Sequence, residues 1–252
     1  MSVGFLEAGR SVSPVVRAGC TLRTGGLSVA PYASLNLGSH VGDETAAVAG
    51  NRRLVREALQ LPTEPLWLQQ EHGARVIDAD APGDAGPADA AVTRESQRVL
   101  AILVADCMPV LFASRDGSVL GAAHAGWRGL AAGVLEATVR AMRIDPRDVQ
   151  AWLGPAIGPA HFEVGPEVRA AFVAHEPLAA AAFGANSRGR WQCDLEQLAR
   201  ARLGALGLEC VSSAGLCTYA QAAQCFSYRR DGRTGRMAAL IWRSAATLQG
   251  PC

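Results

Sequence analysis

Short apolar runs, each bounded by glycine, proline or an acidic residue, recur along this chain and limit what it can fold into. Runs of this length that are rich in Val, Ile, Leu and Ala are typical of strands covered on both faces. Their spacing leaves room for turns and helices between them. We therefore predict buried strands in VVRAGCTLRT, VLAILVAD, PVLFAS, SVLGAAH, VQAWLG and MAALIWR.

Segments with helical character lie between these predicted strands. Asn51 to Leu61 and Leu130 to Met142 carry good helix formers with apolar residues at helical spacing. Pro166 to Ala174 begins with proline, which suits the first turn of a helix. Asp194, followed three residues later by Gln197, resembles a capping box that opens the helix LEQLARARLGAL. The irregular alternation of helices and strands predicts an α+β fold with mixed sheets covered by helices.

The chain shows no linker or internal repeat, so we expect residues 1–252 to form a single domain. The stretch from Asp80 to Asp89, DAPGDAGPAD, is predicted to be a surface loop because it is rich in Gly and Pro. No apolar stretch is long enough to cross a bilayer, and no signal segment precedes the first run, so we expect a cytoplasmic protein that does not bind membranes.

Composition excludes several classes of function. All 24 basic residues are arginine, which rules out a Schiff-base lysine or a P-loop lysine. The net charge is +1 with both signs interspersed, so we expect no nucleic-acid partner. The seven cysteines are scattered and include no C-x-x-C pair, which argues against a disulfide framework or a zinc ribbon. We expect a monomer or small homo-oligomer that acts on small molecules.

Three residues able to bind a metal stand where predicted strands give way to turns. His72 lies in LQQEHGARV, Cys107 follows VLAILVAD, and His124 ends SVLGAAH. Strand ends place side chains on one rigid rim, where two imidazoles and a thiolate could bind Zn²⁺ and leave a fourth position open. Each residue alone is more commonly a packed core position, and no spacing rule marks so dispersed a set. Both interpretations stay open at this point.

Arginines set among glycines form a second group of candidates. Arg23 and Asn36 lie in the small-residue loop LRTGGLSVAPYASLNLGSHVGD. The glycine-punctuated stretch CFSYRRDGRTGRMA contains Tyr228, Arg229, Arg230, Arg233 and Arg236. Arginine forks bind phosphate or carboxylate through two parallel hydrogen bonds, and glycine lets the backbone approach an anion. A solvated hairpin with exposed charges explains the same pattern.

A set of motifs in this order resembles the YfiH-like family of laccase-domain proteins, also called the polyphenol oxidase family. The motifs span residues from about Arg23 to Trp242 and are TGGLS, SLNLG, HVGD, NRRL, QEHG, ADCMPV, AAHAGWRGL, LGPAIGPAHFEVG and FSYRRDGRTGRMAALIW. The resemblance implies a YfiH-like α+β domain, its mixed sheets sandwiched between helices, with a zinc site made of His72, Cys107 and His124. It also implies that Arg128 lies in the first turn of the next helix, where an anion would be favoured.

The family's name implies a laccase, and the histidine content of this chain argues against that mechanism. A multicopper oxidase needs about ten histidines, many in H-x-H pairs. This chain has 5 histidines and no H-x-H pair. Copper could still bind at the His/Cys site because its affinity for such ligands is high. A copper-dependent polyphenol oxidase therefore remains an alternative that only the name suggests.

Purine nucleoside chemistry is the activity that the resemblance implies and that fits these residues better. It comprises phosphorolysis of adenosine, inosine and methylthioadenosine, with adenosine deamination beside it. On this hypothesis Zn²⁺ activates water or a substrate atom, and Asp106 either transfers a proton or fixes its loop. Inorganic phosphate would be bound by Arg23, Arg128 and either Arg229 or Arg230. Asn36 and Tyr228 would orient the nucleoside.

Two other classes of function stay open. Cys107 and His124 could act as nucleophile and base in a cysteine hydrolase, on an amide or a peptidoglycan precursor, because a thiolate beside an imidazole is activated for acyl transfer. The chain could also be a non-enzymatic module that binds zinc or a nucleoside.

Overall fold

The predicted strand segments all contain strands in the computed structural model, which describes residues 2–9, 13–81 and 86–243. Several of these strands are buried along their whole length, as their continuous apolar sequences predict. The strands are β1 Phe5–Glu7, β2 Val16–Thr21, β3 Leu66–Trp67, β4 Val76–Asp78, β5 Ala90–Thr93, β6 Leu100–Val104, β7 Met108–Ser114, β8 Leu120–Ala125, β9 Val149–Leu153, β10 Glu163–Val164, β11 Phe183–Ala185, β12 Trp191–Cys193, β13 Cys210–Ser213 and β14 Met237–Arg243.

Two mixed sheets form the centre of the molecule. One has the order β1-β2-β14-β6-β3 and the other β13-β9-β7-β8-β5-β4. Each sheet contains parallel and antiparallel pairs: β3 runs parallel to β6, for example, and β14 runs antiparallel to β6. The sheets share one buried core, to which β14 contributes Met237, Ala239 and Ile241. A smaller sheet, β10-β12-β11, stands apart from these two.

Helices cover the outer faces of the two large sheets. The α-helices of the described residues are α1 Thr45–Ala58, α2 Trp127–Ala131, α3 Val134–Met142, α4 Pro166–Val173, α5 Leu195–Ala205 and α6 Tyr228–Asp231. The alternate residues of β14, including Leu240 and Trp242, pack against Val55 and Leu59 at the end of α1. α3, α4 and α5 pack on the other sheet. The predicted α+β architecture is confirmed, with the sheets lying between helices. Among the described residues, no helix is long and apolar enough to span a bilayer.

The helix predictions are more accurate in location than in length. The predicted helix at residues 51–61 begins six residues earlier and ends at Ala58. The single helix predicted for residues 130–142 is wrong: Gly133 adopts φ 85°, a left-handed conformation that glycine tolerates, and separates α2 from α3. The proline-initiated helix α4 is confirmed. Asp194 caps α5 by accepting a hydrogen bond from the amide N of Gln197.

The predicted surface loop at residues 80–89 is wrong at its end. Residues 82–85 lie outside the described part of the chain. Asp89, however, is 1% exposed and directly precedes β5. A carboxylate buried to this extent must be hydrogen-bonded or paired, because an isolated buried charge is very costly.

Asn51 joins α1 to the glycine-rich segment that precedes it. Its side chain is fully buried. Oδ1 accepts from the amide N of Leu27 at 2.7 Å. Nδ2 donates to Ser28 Oγ at 2.9 Å and to the carbonyl oxygens of Ser34 and Asn36 at 3.2 and 2.8 Å. One amide thus fixes a long segment that has no regular secondary structure.

We expect Asn51→Ala to lower the free energy of unfolding by about 3 kcal/mol, because several buried polar groups lose their partner at once. A loss of that size corresponds to a fall in Tm of roughly 6–12 °C for a chain of this size. Arg53→Ala, at an exposed position of the same helix, should change stability by no more than about 0.5 kcal/mol. Equal Tm values for the two variants in calorimetry would contradict this role of Asn51.

Candidate active site

His72, Cys107 and His124 converge, as predicted. Their ligand atoms all lie within 4.8 Å of one another. His72 lies in the loop that follows β3, Cys107 in the turn between β6 and β7, and His124 near the end of β8. His72 is exposed while His124 is buried, so the cluster opens to one side. The two imidazole rings meet edge to face, with centroids 4.8 Å apart.

The small residues around His124 make room for this cluster. A Cβ atom on Gly126 would lie 2.7 Å from Cys107 Sγ and 3.4 Å from His72 Cδ2. A Cβ on Gly129 would lie 3.0 Å from the carbonyl oxygen of Gly73. Side chains at either position would push the three loops apart. The glycines in HAGWRG are therefore required by the close approach of the predicted ligands.

Asp89 links the two histidines. Its Oδ1 accepts hydrogen bonds from His124 Nδ1 at 2.8 Å and from the amide N of His72 at 2.9 Å. Its Oδ2 accepts from the amide N of Gly73 at 2.7 Å and of Glu71 at 3.0 Å. The bond to Nδ1 turns Nε2 of His124 toward the cluster. Sequence analysis missed Asp89, because its Gly- and Pro-rich surroundings indicate only a loop.

The side chain of Gln70 attaches the His72 loop to β6. Its Nε2 donates to the carbonyl oxygen of Leu103 at 2.9 Å, and its Oε1 accepts from the amide N of Leu103 at 2.8 Å. These two bonds continue the β3–β6 pairing after the backbone of β3 has turned away. Gln70 was also missed by sequence analysis, although it lies within the motif that contains His72.

Cys107 and His124 form a polarised pair. Burial raises the pKa of Cys107, but the charges and hydrogen bonds of His124 and His72 outweigh burial and lower this pKa to about 6. Burial lowers the pKa of His124, whereas the Cys107 thiolate and Asp89 raise it to about 9. The thiolate is therefore favoured at neutral pH. A thiolate is the form of cysteine that binds a metal and that acts as a nucleophile.

Asp106 fixes the turn that carries Cys107. Its Oδ1 accepts from Thr218 Oγ1 at 2.6 Å, and its Oδ2 accepts from the amide N of Arg229 at 2.7 Å. Its carbonyl oxygen accepts from the amide N of Ile157 at 2.9 Å. Asp106 is buried and has φ 95°, which few residues other than glycine adopt. Of its two predicted roles, these bonds favour fixing the loop; the proton-transfer role stays a prediction.

A cavity of about 520 Å³ opens beside the cluster. Of the other predicted site residues, Asp106, Arg128, Tyr228 and Arg229 line it, while Arg23, Asn36 and Arg230 do not. The lining also includes residues that sequence analysis did not assign. The complete lining is His40, Gln70, His72, Leu103, Ala105, Asp106, Cys107, His124, Gly126, Trp127, Arg128, Ile157, Phe162, Leu195, Tyr228, Arg229 and Arg236.

Three of these lining residues are arginines. Arg128 lies over the ring of Trp127 at 4.5 Å, on the single-turn helix α2. Arg229 Nη1 donates to the carbonyl oxygen of Glu163 at 2.9 Å. Arg236 Nη1 donates to the carbonyl oxygens of Thr234 and Gly235 at 3.0 and 3.1 Å. Asp106 is the only carboxylate among the described lining residues, and both of its oxygens already accept hydrogen bonds. The cavity therefore has an excess of positive charge.

The predicted binding residues outside the cavity have structural contacts instead. Arg23 donates to the carbonyl oxygens of Ala33 and Ala222. Arg230 pairs with both oxygens of Asp231 and donates to three backbone carbonyls. Asn36 is fully buried, and its Oδ1 accepts from the amide N of Arg236 at 2.8 Å. No contact with the cavity supports a direct role for these three residues in binding substrate.

Comparison with known proteins finds relatives over most of the chain. Residues 17–244 match a family described as multi-copper polyphenol oxidoreductase laccase. A purine nucleoside phosphorylase of Pseudomonas aeruginosa is 50% identical over 90% of this chain and 93% of its own length. The purine nucleoside phosphorylase YfiH of Escherichia coli is 48% identical over the same shares.

Solved structures give the same relationship. The crystal structure of a Neisseria meningitidis protein is 45% identical and superposes with a TM-score of 0.91, over 96% of this chain and 100% of that one. YlmD from Geobacillus stearothermophilus is 34% identical, with a TM-score of 0.89 over 95% and 96% of the two chains. The chain therefore belongs to the laccase-domain family of YfiH-like proteins.

Proposed function

We propose that this protein is a zinc-dependent purine nucleoside phosphorylase. The observation that carries the proposal is one cavity that joins a His/Cys/His cluster to three arginines. The relatives named purine nucleoside phosphorylase support a nucleoside-processing enzyme. Adenosine, inosine and methylthioadenosine are the proposed substrates.

The donor set suits a catalytic zinc ion. Two imidazoles and one thiolate within 4.8 Å of one another match the three protein ligands of such sites, and the exposed side of His72 leaves an approach for substrate. Asp89 supplies the outer hydrogen bond that zinc-binding histidines commonly have. When bound, Zn²⁺ supplies a Lewis acid that polarises an oxygen atom or lowers the pKa of water. Copper could occupy the same ligands, and the proposal favours zinc.

Different residues of the cavity would bind the phosphate and the purine. Arg128 and Arg229 offer N–H groups to hydrogenphosphate. Ile157, Phe162 and Leu195 form an apolar wall, and Tyr228 adds an aromatic ring 62% exposed at the cavity. A phosphate oxygen held there would form the bond to ribose C1′ while the C1′–N9 bond breaks. The purine leaves with the bonding electrons and takes the proton of hydrogenphosphate.

Removal of metal tests this proposal. Protein purified without added metal should contain zinc by elemental analysis, and it should convert inosine to hypoxanthine and ribose 1-phosphate only when phosphate is present. A chelator should abolish conversion, and added Zn²⁺ should restore it, because the ligand set alone supplies no Lewis acid. Chromatography of the products measures both dependences. Release of hypoxanthine at the same rate without phosphate would exclude phosphorolysis.

Adenosine deamination is part of the same proposal and has a separate readout. It replaces the 6-amino group by oxygen from water and releases ammonia, so it needs no phosphate. Ammonia formed from adenosine in phosphate-free buffer would support it, and phosphate-dependent formation of adenine without any ammonia would restrict the enzyme to phosphorolysis.

Asp89→Asn should weaken zinc binding by about 10- to 100-fold, because an amide cannot accept all the N–H groups that converge on the carboxylate. Asp148→Asn, at an exposed position, is the matched control and should bind zinc as the parent does. Competition with a chromophoric chelator measures both affinities. Unchanged zinc affinity in Asp89→Asn would show that this carboxylate does not hold the ligands in place.

A cysteine hydrolase is the second candidate, and the Cys107–His124–Asp89 series favours it. The Cys107 thiol has a pKa of about 6 and lies beside an imidazole that a carboxylate orients. A nucleophilic cysteine and its base are arranged in this way. The two functions use Cys107 differently: as a metal ligand in one and as an attacking group in the other. The effect of metal on the reactivity of Cys107 therefore distinguishes the two functions.

In the metal-free protein, we expect iodoacetamide to alkylate Cys107 ahead of Cys193 and Cys225, because burial raises the pKa of those two thiols to about 12. Zinc should protect Cys107. Mass spectrometry of peptides measures the labelling. An acyl adduct on Cys107 after incubation of metal-free protein with an amide substrate would favour the hydrolase. Labelling unaffected by zinc would contradict the assignment of Cys107 as a ligand.

A further inference from the structure

Four arginines lie in the stretch from Tyr228 to Arg236, and the structure distinguishes between them by what each guanidinium already contacts. We propose that Arg236, which the sequence analysis placed among the glycine-flanked arginines without a role of its own, is a phosphate-binding residue of this cavity. It would bind two phosphate oxygens through its Nε and Nη2 groups. This inference concerns the same site as the proposed phosphorylase function. Only its kinetic test rests on that function, because phosphate binding can be measured without turnover.

The Nε–Nη2 edge of arginine is the edge that matches two oxygens of a phosphate. In Arg230 this edge is occupied, since Nε and Nη2 donate to the two carboxylate oxygens of Asp231 at 2.8 and 2.7 Å. In Arg233 it is also occupied, since Nε donates to Tyr32 Oη at 2.6 Å and Nη2 to the carbonyl oxygen of Gly42 at 3.4 Å. Neither residue lines the cavity.

Arg236 has the same edge available. Its only side-chain hydrogen bonds to described residues are those of Nη1 to the carbonyl oxygens of Thr234 and Gly235. Nε and Nη2 have no partner among the residues that the structure describes. Arg229 shares this property, because only its Nη1 is bonded, to Glu163. The Arg128 guanidinium makes no hydrogen bond to a described residue, so three guanidinium edges in this cavity are open to an anion.

The conformation of Arg236 is held before any ligand binds. Its amide N donates to Asn36 Oδ1 at 2.8 Å, and its carbonyl oxygen accepts from the amide N of Leu37 at 3.0 Å. Its side-chain stem packs on Gly38, where an added Cβ would lie 2.8 Å from Arg236 Cγ. Together with the two Nη1 bonds, these contacts reduce the entropy lost on binding an anion. Asn36 therefore acts as a positioning residue for Arg236.

The electrostatic surroundings also favour an external anion. Arg236 forms no ion pair within the described part of the chain, although burial lowers its pKa and the nearby Cys107 and Asp106 raise it. Burial, Arg236 and Arg52 lower the pKa of His40, which lines the same cavity, and so disfavour a positive charge on its imidazole. A partly buried cation without a carboxylate partner is stabilised by a bound oxyanion.

Arg236→Gln should raise the KM for phosphate by about 10- to 100-fold, the size expected for the loss of charge-assisted hydrogen bonds. The KM for inosine and the zinc content should stay within about twofold, because the substitution leaves all three metal ligands in place. Arg236→Lys should fall between the parent and the glutamine variant, since lysine keeps the charge and loses the fork. Initial rates at varied phosphate and fixed inosine measure these values.

Arg233→Gln is the matched control, because it removes one charge from the same turn outside the cavity. Its KM for phosphate should stay within about twofold of the parent. Calorimetric titration of the zinc-loaded proteins with inorganic phosphate gives the same comparison without turnover. Equal phosphate affinity in the parent and in Arg236→Gln would overturn the inference. Phosphate binding that depends on Arg236, without phosphate-dependent release of base, would instead support the inference and exclude the phosphorylase.

Discussion

The buried carboxylate of Asp89 is the interaction on which the candidate site depends. It accepts the amide N–H groups of three successive residues, Glu71, His72 and Gly73, and the Nδ1 atom of His124. The loop of His72 has no regular secondary structure, and His72 itself has φ 63°, a left-handed conformation that costs about 1 kcal/mol or more in a non-glycine residue. Four hydrogen bonds to one charged group offset that strain. The same four bonds set the distance between the two imidazoles.

The cavity beside this cluster has the opposite electrostatic character. Arginines line it, and Asp106, the one carboxylate among its described lining residues, accepts hydrogen bonds from Thr218 and from the backbone of Arg229. A chain whose 24 basic residues are all arginine places a planar fork at every cationic position. Forks that are not paired with acids inside the protein are available to a phosphate. This arrangement is the basis of the proposal that the cavity binds an anionic co-substrate beside an uncharged nucleoside.

Sequence patterns predicted what depends on local composition. Buried strands were recognisable because apolar runs of strand length differ from helical patterns. Residue type and place at strand ends marked the three candidate ligands, but only the family resemblance selected them as one metal site. The patterns failed where long-range contacts decide. Gly133 within a helical sequence does not show that the helix breaks there, and the Gly- and Pro-rich surroundings of Asp89 hide its burial. The difference between Arg230 and Arg236 is also hidden from the sequence pattern, although the contacts are local: Asp231 occupies the Nε–Nη2 edge of Arg230, while backbone carbonyls bind only Nη1 of Arg236.

Asp106 connects the two halves of the site. The residue after it is Cys107, and its Oδ2 atom caps the amide N of Arg229 in α6, so one carboxylate fixes both a candidate metal ligand and an arginine of the cavity. Its carbonyl oxygen also holds Ile157, which belongs to the apolar wall. A displacement of the Cys107 turn would therefore move the three functional surfaces together. Because both carboxylate oxygens accept hydrogen bonds, this connection is rigid, and the relative positions of Cys107, Arg229 and Ile157 follow from the fold.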